Sequence, residues 1–135
     1  MKPTILVVED TDDCRETLEM SLSRISGVFV RAVATAEEAL AHTASEWICA
    51  LVTDLGLPEM SGFELIQHVR TQSHFASIPV LVVSGETCEH TRAKVAALGA
   101  DAFISKPFSP AQVRNELQRL LQKEKGPVAG ALVRR

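Results

Sequence analysis

Five side chains of this 135-residue chain are of the right types, and fall in the right places, to do chemistry together: Glu9, Asp10, Asp54, Ser84 and Lys106. Each lies within two residues of the end of a short apolar run. Taken alone, an Asp at the end of such a run can simply cap a turn. Three carboxylates gathered at one place are different, because they repel one another, and taking them out of water is costly unless something neutralises them. A hard divalent cation is the natural partner. Magnesium prefers oxygen ligands, accepts one or two carboxylates, and keeps waters together with a substrate phosphate. Lys106 then has two readings that can hold at different times. It is a flexible point charge able to hold a phosphoryl oxygen, or it is a plain salt bridge to Asp54.

Positioning these groups falls to the elements between them. Ile5–Val8 reads as a fully buried strand, and Val28–Val33, Ile48–Thr53, Val80–Ser84 and Ala102–Ser105 read as four more. Pro79 stands near the start of the fourth, where a missing N–H is tolerated. Between the strands lie helical patterns. Leu18, Leu22 and Ile25 share one face of a helix that stops at Gly27. Thr35-Ala36-Glu37-Glu38 is a capping box opening a helix to about Ala44, and Ser61-Gly62-Phe63-Glu64 opens another that buries Phe63, Ile66 and Val69. A fourth helix is expected from Thr87 to Leu98, ended by Gly99. Ser109-Pro110-Ala111-Gln112 starts the fifth, whose stripe is Val113, Leu117, Leu120 and Leu121. Asp54 is followed by Gly56, Pro58 and Gly62, a segment that cannot continue a strand.

Strand and helix thus alternate five times. That pattern predicts an α/β fold: a doubly wound five-stranded parallel sheet with helices on both faces. All strands then point their carboxyl ends to one edge, where such sheets bind ligands. Glu9, Asp10, Asp54, Ser84 and Lys106 all fall on that edge. The second strand ends in Ala34-Thr35 and brings no charge.

Composition narrows the class. Apolar residues make up 46%, charged residues 23%, and the net charge is −3, ordinary values for a globular domain. Nothing in that balance recruits nucleic acid or an anionic membrane. The longest apolar runs are far short of a membrane span, and the amino terminus carries no signal-peptide core; a cytoplasmic location is expected. Cys14, Cys49 and Cys88 are widely spaced, which fits reduced, mostly buried thiols rather than a disulfide framework. His42, His68, His74 and His90 lack metal-ligand spacing and are expected on the surface.

Together, Glu9-Asp10 after Ile-Leu-Val-Val, Asp54-x-x-Leu-Pro-x-Met-x-Gly, Val-Val-Ser84-Gly and Phe103-Ile-Ser-Lys106-Pro107-Phe108 resemble the receiver domain of two-component response regulators. The resemblance runs from residue 4 to about 122, with every motif in order. It implies the flavodoxin-like (βα)5 fold with strand order 2-1-3-4-5. It also implies a signalling switch rather than an enzyme acting on other substrates. Asp54 would accept a phosphoryl group from a histidine kinase or a histidine phosphotransfer protein. Magnesium, or manganese in its place, would be bound by Asp10, by Asp54, by the backbone carbonyl of Gly56, and by Glu9 through water. Ser84 would hydrogen-bond the phosphoryl group, and Lys106 would pair with it, preceding a cis peptide to Pro107. Pro58 and Gly62 would be structural. Phe103 would be the switch aromatic, signalling through the surface of the fourth helix, fifth strand and fifth helix to an output partner.

Departures from the pattern have consequences. Phe103 lacks the hydroxyl of the more usual Tyr, so coupling must run through packing and rotamer. Gly56 and Glu86 hold positions that in the family modulate phosphate lifetime, and a Gly at 56 leaves water an approach. Some family members carry a reporter Trp beside the acceptor, where this chain has Leu55; Trp47 precedes the third strand at the opposite edge. The runner-up reading is a pseudo-receiver that serves as a protein-interaction module without taking phosphate, against which the complete set of acids, hydroxyl and lysine argues. A haloacid-dehalogenase-type phosphatase would need a second Asp where Gly56 stands. Residues 1–124 are expected to form the receiver and 125–135 a short tail or linker stub, in a single-domain regulator or in a receiver cut from a larger protein. Ala102 and Glu116 do not fit the charge pattern of the receivers that dimerise through this face, so a monomer or weak dimer is expected.

Overall fold

A computed structural model describes the backbone of residues 2–129 and the side chains as far as 123. Strands β1 (Thr4–Val8), β2 (Phe29–Val33), β3 (Ile48–Thr53), β4 (Val80–Ser84) and β5 (Ala102–Ser105) form one parallel sheet in the order β2-β1-β3-β4-β5. Successive residues of a strand point to opposite faces, and here both faces are covered. Leu6, Val8, Val80 and Val82 pack against α2 (Ala36–Thr43), α3 (Gly62–Thr71) and α4 (Glu89–Ala97). Ile5, Val7, Leu81 and Val83 pack against α1 (Asp12–Leu22) and α5 (Pro110–Ala129). This is the doubly wound parallel sheet predicted from the alternation, in the flavodoxin-like strand order that the resemblance implies. β2 is an edge strand, and its Phe29 is exposed.

One irregularity sits at the amino end of β3. The β1–β3 pairing shifts between Thr4 and Ile5, so that Thr4 faces Ile48 while Ile5 faces Ala50. The extra residue is Cys49, and it puts Ile48 and Leu51 on the same face.

Register determines what meets at the carboxyl edge. Val8 stands opposite Thr53 and Ser84 opposite Ser105. The next residues along are Glu9 beside Asp54, and Lys106, whose amide donates to the Ser84 carbonyl at 2.9 Å. The Asp54 amide donates to the Val8 carbonyl at 3.1 Å, extending the ladder by one step past each strand.

Several element ends differ from the sequence reading. Ile25 is buried as expected but lies beyond the end of α1 at Leu22. Phe63 is only partly buried. Leu65, Ile66 and Val69 form the buried stripe of α3, while the Lys94 ammonium covers the Phe63 ring at 4.3 Å. α4 starts at Glu89 rather than Thr87. Glu38 caps α2 by accepting from the Ala34 amide, one residue before the N-cap. Cys88 is exposed and Cys14 and Cys49 are half-buried, so the thiols are less buried than expected. α5 runs to Ala129, and residues 130–135 of the expected tail lie outside the described residues.

The β3–α3 loop is held by a close crossing. The capping box at Ser61 has both its bonds: the Ser61 hydroxyl accepts from the Glu64 amide at 3.3 Å, and Glu64 accepts from the Ser61 amide at 3.1 Å. The Gly62 amide donates to the Leu55 carbonyl at 2.9 Å. A Cβ on Gly62 would overlap the Asp54 carbonyl oxygen and stand 2.8 Å from the Leu55 Cα. No flexible side chain is there to give way. Gly62→Ala is therefore expected to lower the stability against urea by about 1–3 kcal/mol, the usual cost of overpacking. An unchanged urea midpoint would show that the crossing has slack.

Candidate functional site

The three carboxylates of Glu9, Asp10 and Asp54 offer one oxygen each within 4.8 Å of one another. Glu9 is 1% exposed. A charge so buried needs partners, and it has them: Lys106 Nζ donates to one carboxylate oxygen at 2.8 Å, and the Thr11 amide donates to the other at 3.0 Å. Arg15, on the first turn of α1, donates to the Glu9 backbone carbonyl at 3.0 Å and to Asp12. Asp10 is exposed at the mouth.

Asp54 is half-buried between two donors. Its Oδ1 accepts from the Leu55 amide at 2.7 Å, and its Oδ2 accepts from Lys106 Nζ at 2.9 Å. Lys106 thus bridges two carboxylates, from strands that are not its neighbours in the chain. Burial is the largest single influence on this ammonium and works against its charge. The hydrogen bonds it donates to Glu9 and Asp54, and their negative charges, outweigh that, so its pKa is held above the ordinary lysine range. The peptide from Lys106 to Pro107 is cis.

Ser84 is buried, and its hydroxyl accepts from the Glu86 amide at 3.0 Å. A Cβ on Gly56 would lie 3.7 Å from the Glu86 carboxylate, so that acid stands at the rim over the one residue of the loop that offers no side chain. Phe103 is half-buried on β5, packed against the α2–α3–α4 side of the core. Trp47 is 57% exposed and precedes β3 at the far edge of the sheet.

All five residues with chemistry in the sequence are therefore at one edge, and Glu9, Asp54 and Lys106 touch. Other participants were not visible in the sequence. The Leu55 and Thr11 amides are backbone donors, which leave no mark in residue type. Arg15 lies six residues past Glu9 on a helix, and only the chain's turn after β1 turns it back.

A family model described as "Response regulator receiver domain" matches residues 5–118. The chain belongs to the response regulator receiver family. The receiver is 32% identical over 120 residues to "Transcriptional regulatory protein GltR" of Pseudomonas aeruginosa, covering 89% of this chain and 49% of that protein. It is 35% identical over 128 residues to "Two-component response regulator PhoP" of the same organism, covering 95% of this chain and 56% of that one. It spans about half the length of these two regulators. Among solved structures, the chemotaxis response regulator CheY4 of Vibrio cholerae superposes with a TM-score of 0.81 at 30% identity, covering 89% of this chain and 99% of that one. A CheY-like receiver domain from Methanospirillum hungatei gives 0.84 at 26% identity, covering 93% and 98%. Phosphorylation-based signalling in two-component systems is the role of this family, whose receivers interact with histidine kinases or phosphotransfer proteins. Among the described residues no helix is long and apolar enough to cross a membrane.

The raised pKa of Lys106 gives a pH dependence. A group whose pKa is higher folded than unfolded stabilises fully below its unfolded value, about 10.4 for lysine, and loses that contribution as pH rises through the folded value. The stability difference between the wild type and Lys106→Met is therefore expected to be flat from roughly pH 6 to 9 and to shrink only above about pH 10.5. A difference that already falls near neutral pH would mean that another group controls the pair.

Proposed function

We propose that this receiver is switched by phosphorylation of Asp54, with the phosphoryl group supplied by a phosphohistidine of a histidine kinase or a phosphotransfer protein. The observation that carries the reading is the bridge from Lys106 to both Asp54 and Glu9. It brings a fixed cation to the carboxylate that would act as nucleophile, in a site that is already negative. The donor set consists of hard oxygens within reach of one another, which fits magnesium, and manganese as a substitute. Asp10, Asp54 and the Gly56 carbonyl would hold the ion, with Glu9 acting through water. When bound, it would supply charge neutralisation for the phosphoryl oxygens.

The residues of this chain account for the transfer itself. An Asp54 oxygen attacks phosphorus, and the bond from phosphorus to the imidazole nitrogen breaks. The electron pair leaves with the imidazole, which is a good leaving group once it carries a proton. Little covalent work remains for the protein beyond positioning and stabilising charge. The Leu55 amide fixes the carboxylate through Oδ1, and Lys106 moves with its partner oxygen to the incoming phosphoryl group. Intact-mass measurement after treatment with acetyl phosphate and magnesium should show one added phosphoryl group, lost with chelator and in Asp54→Asn. Modification that persists in Asp54→Asn, or none in the wild type, would contradict this; the latter result fits a pseudo-receiver.

A phosphoryl group adds roughly two negative charges beside Ser84 and Lys106. Ser84 can donate its hydroxyl to it only by approaching Asp54, which frees volume beneath β4 for the Phe103 ring. The surface of α4, β5 and α5 changes as the ring turns inward, and that surface is where an output partner would read the signal. Glu116 is engaged with Arg119 on its own helix, which supports a monomer rather than a dimer built on charges of this face. We retain 1–124 as the receiver unit and 125–135 as a tail or linker stub. Ser84→Ala is expected to accept phosphate but to show much smaller amide shifts in α4 and β5 than the wild type. The full wild-type shift pattern in Ser84→Ala would rule out this coupling.

A further inference from the structure

α4 is the helix with the least hold on the core: its buried residues are Thr91 and Val95. What holds its outer face is Arg92. The guanidinium carbon lies 4.4 Å from the centroid of the Phe103 ring. Its Nη2 donates to the Ser105 hydroxyl at 2.8 Å, and its Nε donates to the Thr87 carbonyl at 3.3 Å. One exposed side chain thus ties α4 to β5 and to the loop that carries the switch from Ser84. The ring has the core on one side and a cation on the other.

We propose that Arg92 is a clasp for the resting state, a positioning residue that opposes the inward turn of Phe103. The proposal rests on the phosphorylation-switch reading above and names the residue that sets its threshold. A cation over an aromatic face is attracted by the ring quadrupole, and a ring that turns into the core leaves that cation behind. The attraction exists in the resting arrangement and is lost in the switched one. A contact of that kind biases a two-state equilibrium by its full value. The Thr87 bond acts in the same direction, because approach of Ser84 to Asp54 pulls the loop away from its anchor.

Lys94 supplies the control. It is a cation on the same helix, but it covers Phe63 of α3 and not Phe103. Beryllofluoride with magnesium, a phosphoryl mimic that binds the acceptor carboxylate, is the probe. A binding-competent state that is a minority at rest weakens apparent affinity by its fraction, and removing the clasp raises that fraction. Arg92→Gln is expected to bind beryllofluoride about threefold to tenfold more tightly than the wild type. Arg92→Lys keeps a charge over the ring without the fork that bridges Ser105 and Thr87, and should fall between them. Lys94→Gln should match the wild type. Because loss of a positive charge by itself weakens binding of an anion, tighter binding in Arg92→Gln cannot come from simple electrostatics.

Unchanged or weaker binding in Arg92→Gln, with a normal wild-type response, would overturn the clasp and leave the phosphorylation reading standing. Equal tightening in Lys94→Gln would also overturn it, since the effect would then belong to the helix as a whole. A wild type that binds no beryllofluoride would remove the phosphorylation reading, and the clasp with it.

Discussion

The rest of the site depends on one constraint: a nearly inaccessible carboxylate at Glu9 must be kept charged beside two others. Removing a carboxylate from water costs several kcal/mol, and like charges nearby add to it. Lys106 meets that need by reaching from β5 across β4 to touch both Glu9 and Asp54. The same contact makes the arrangement poised. Lys106 is the partner of Asp54 at rest, and its ammonium already lies against the carboxylate at 2.9 Å. A single side chain therefore both stabilises the unmodified site and is placed to receive a phosphoryl oxygen. Of the two readings of Lys106 open in the sequence, the salt bridge is observed, and the phosphoryl contact belongs to the proposed function.

The sheet makes that contact achievable. Parallel strands with both faces covered bring five chain segments to one edge, and the registers Val8–Thr53 and Ser84–Ser105 align the residues that follow them. A slip of one residue in either ladder would turn side chains to the opposite face. Gly62 then lets α3 begin directly against the Asp54 backbone, fixing that residue from behind. Rigidity is concentrated on the Asp54 side, while the β4–α4 loop and α4 are held mainly by surface contacts. Few buried contacts on the α4 side leave that element with the lower local stability.

Much of this was legible in the sequence because the strands are short, apolar and regularly interrupted, and because in a parallel sheet the strand ends alone say which residues meet. Glu9, Asp10, Asp54, Ser84 and Lys106 were located from that rule. What was not legible depends on contacts between elements. Phe63 has an apolar side chain at a helical spacing, yet it lies under Lys94 because α4 packs there; the pattern of α3 cannot contain that information. Cys88 is exposed because α4 begins at Glu89, later than its pattern suggests. Arg92 resembles any solvated helix cation until β5 is placed beside it. The capping box at Ser61 was legible down to its individual bonds, since it is local, whereas Glu38 in the similar motif of α2 reaches past the N-cap to Ala34.

The most direct test of the central claim is whether a bound cation can stand in for Lys106. The measurement is urea unfolding of the wild type and Lys106→Met, in chelator and in saturating magnesium. Backbone circular dichroism should follow it, because Trp47 lies at the far edge of the sheet and would report the site poorly. If charge neutralisation is what the site requires, Lys106→Met loses up to about 3–5 kcal/mol in chelator, the range for removing one partner of a buried ion pair. Magnesium should then recover most of that loss, so that the gap to the wild type narrows. A variant as stable as the wild type in chelator, or a gap that magnesium leaves unchanged, would contradict the account.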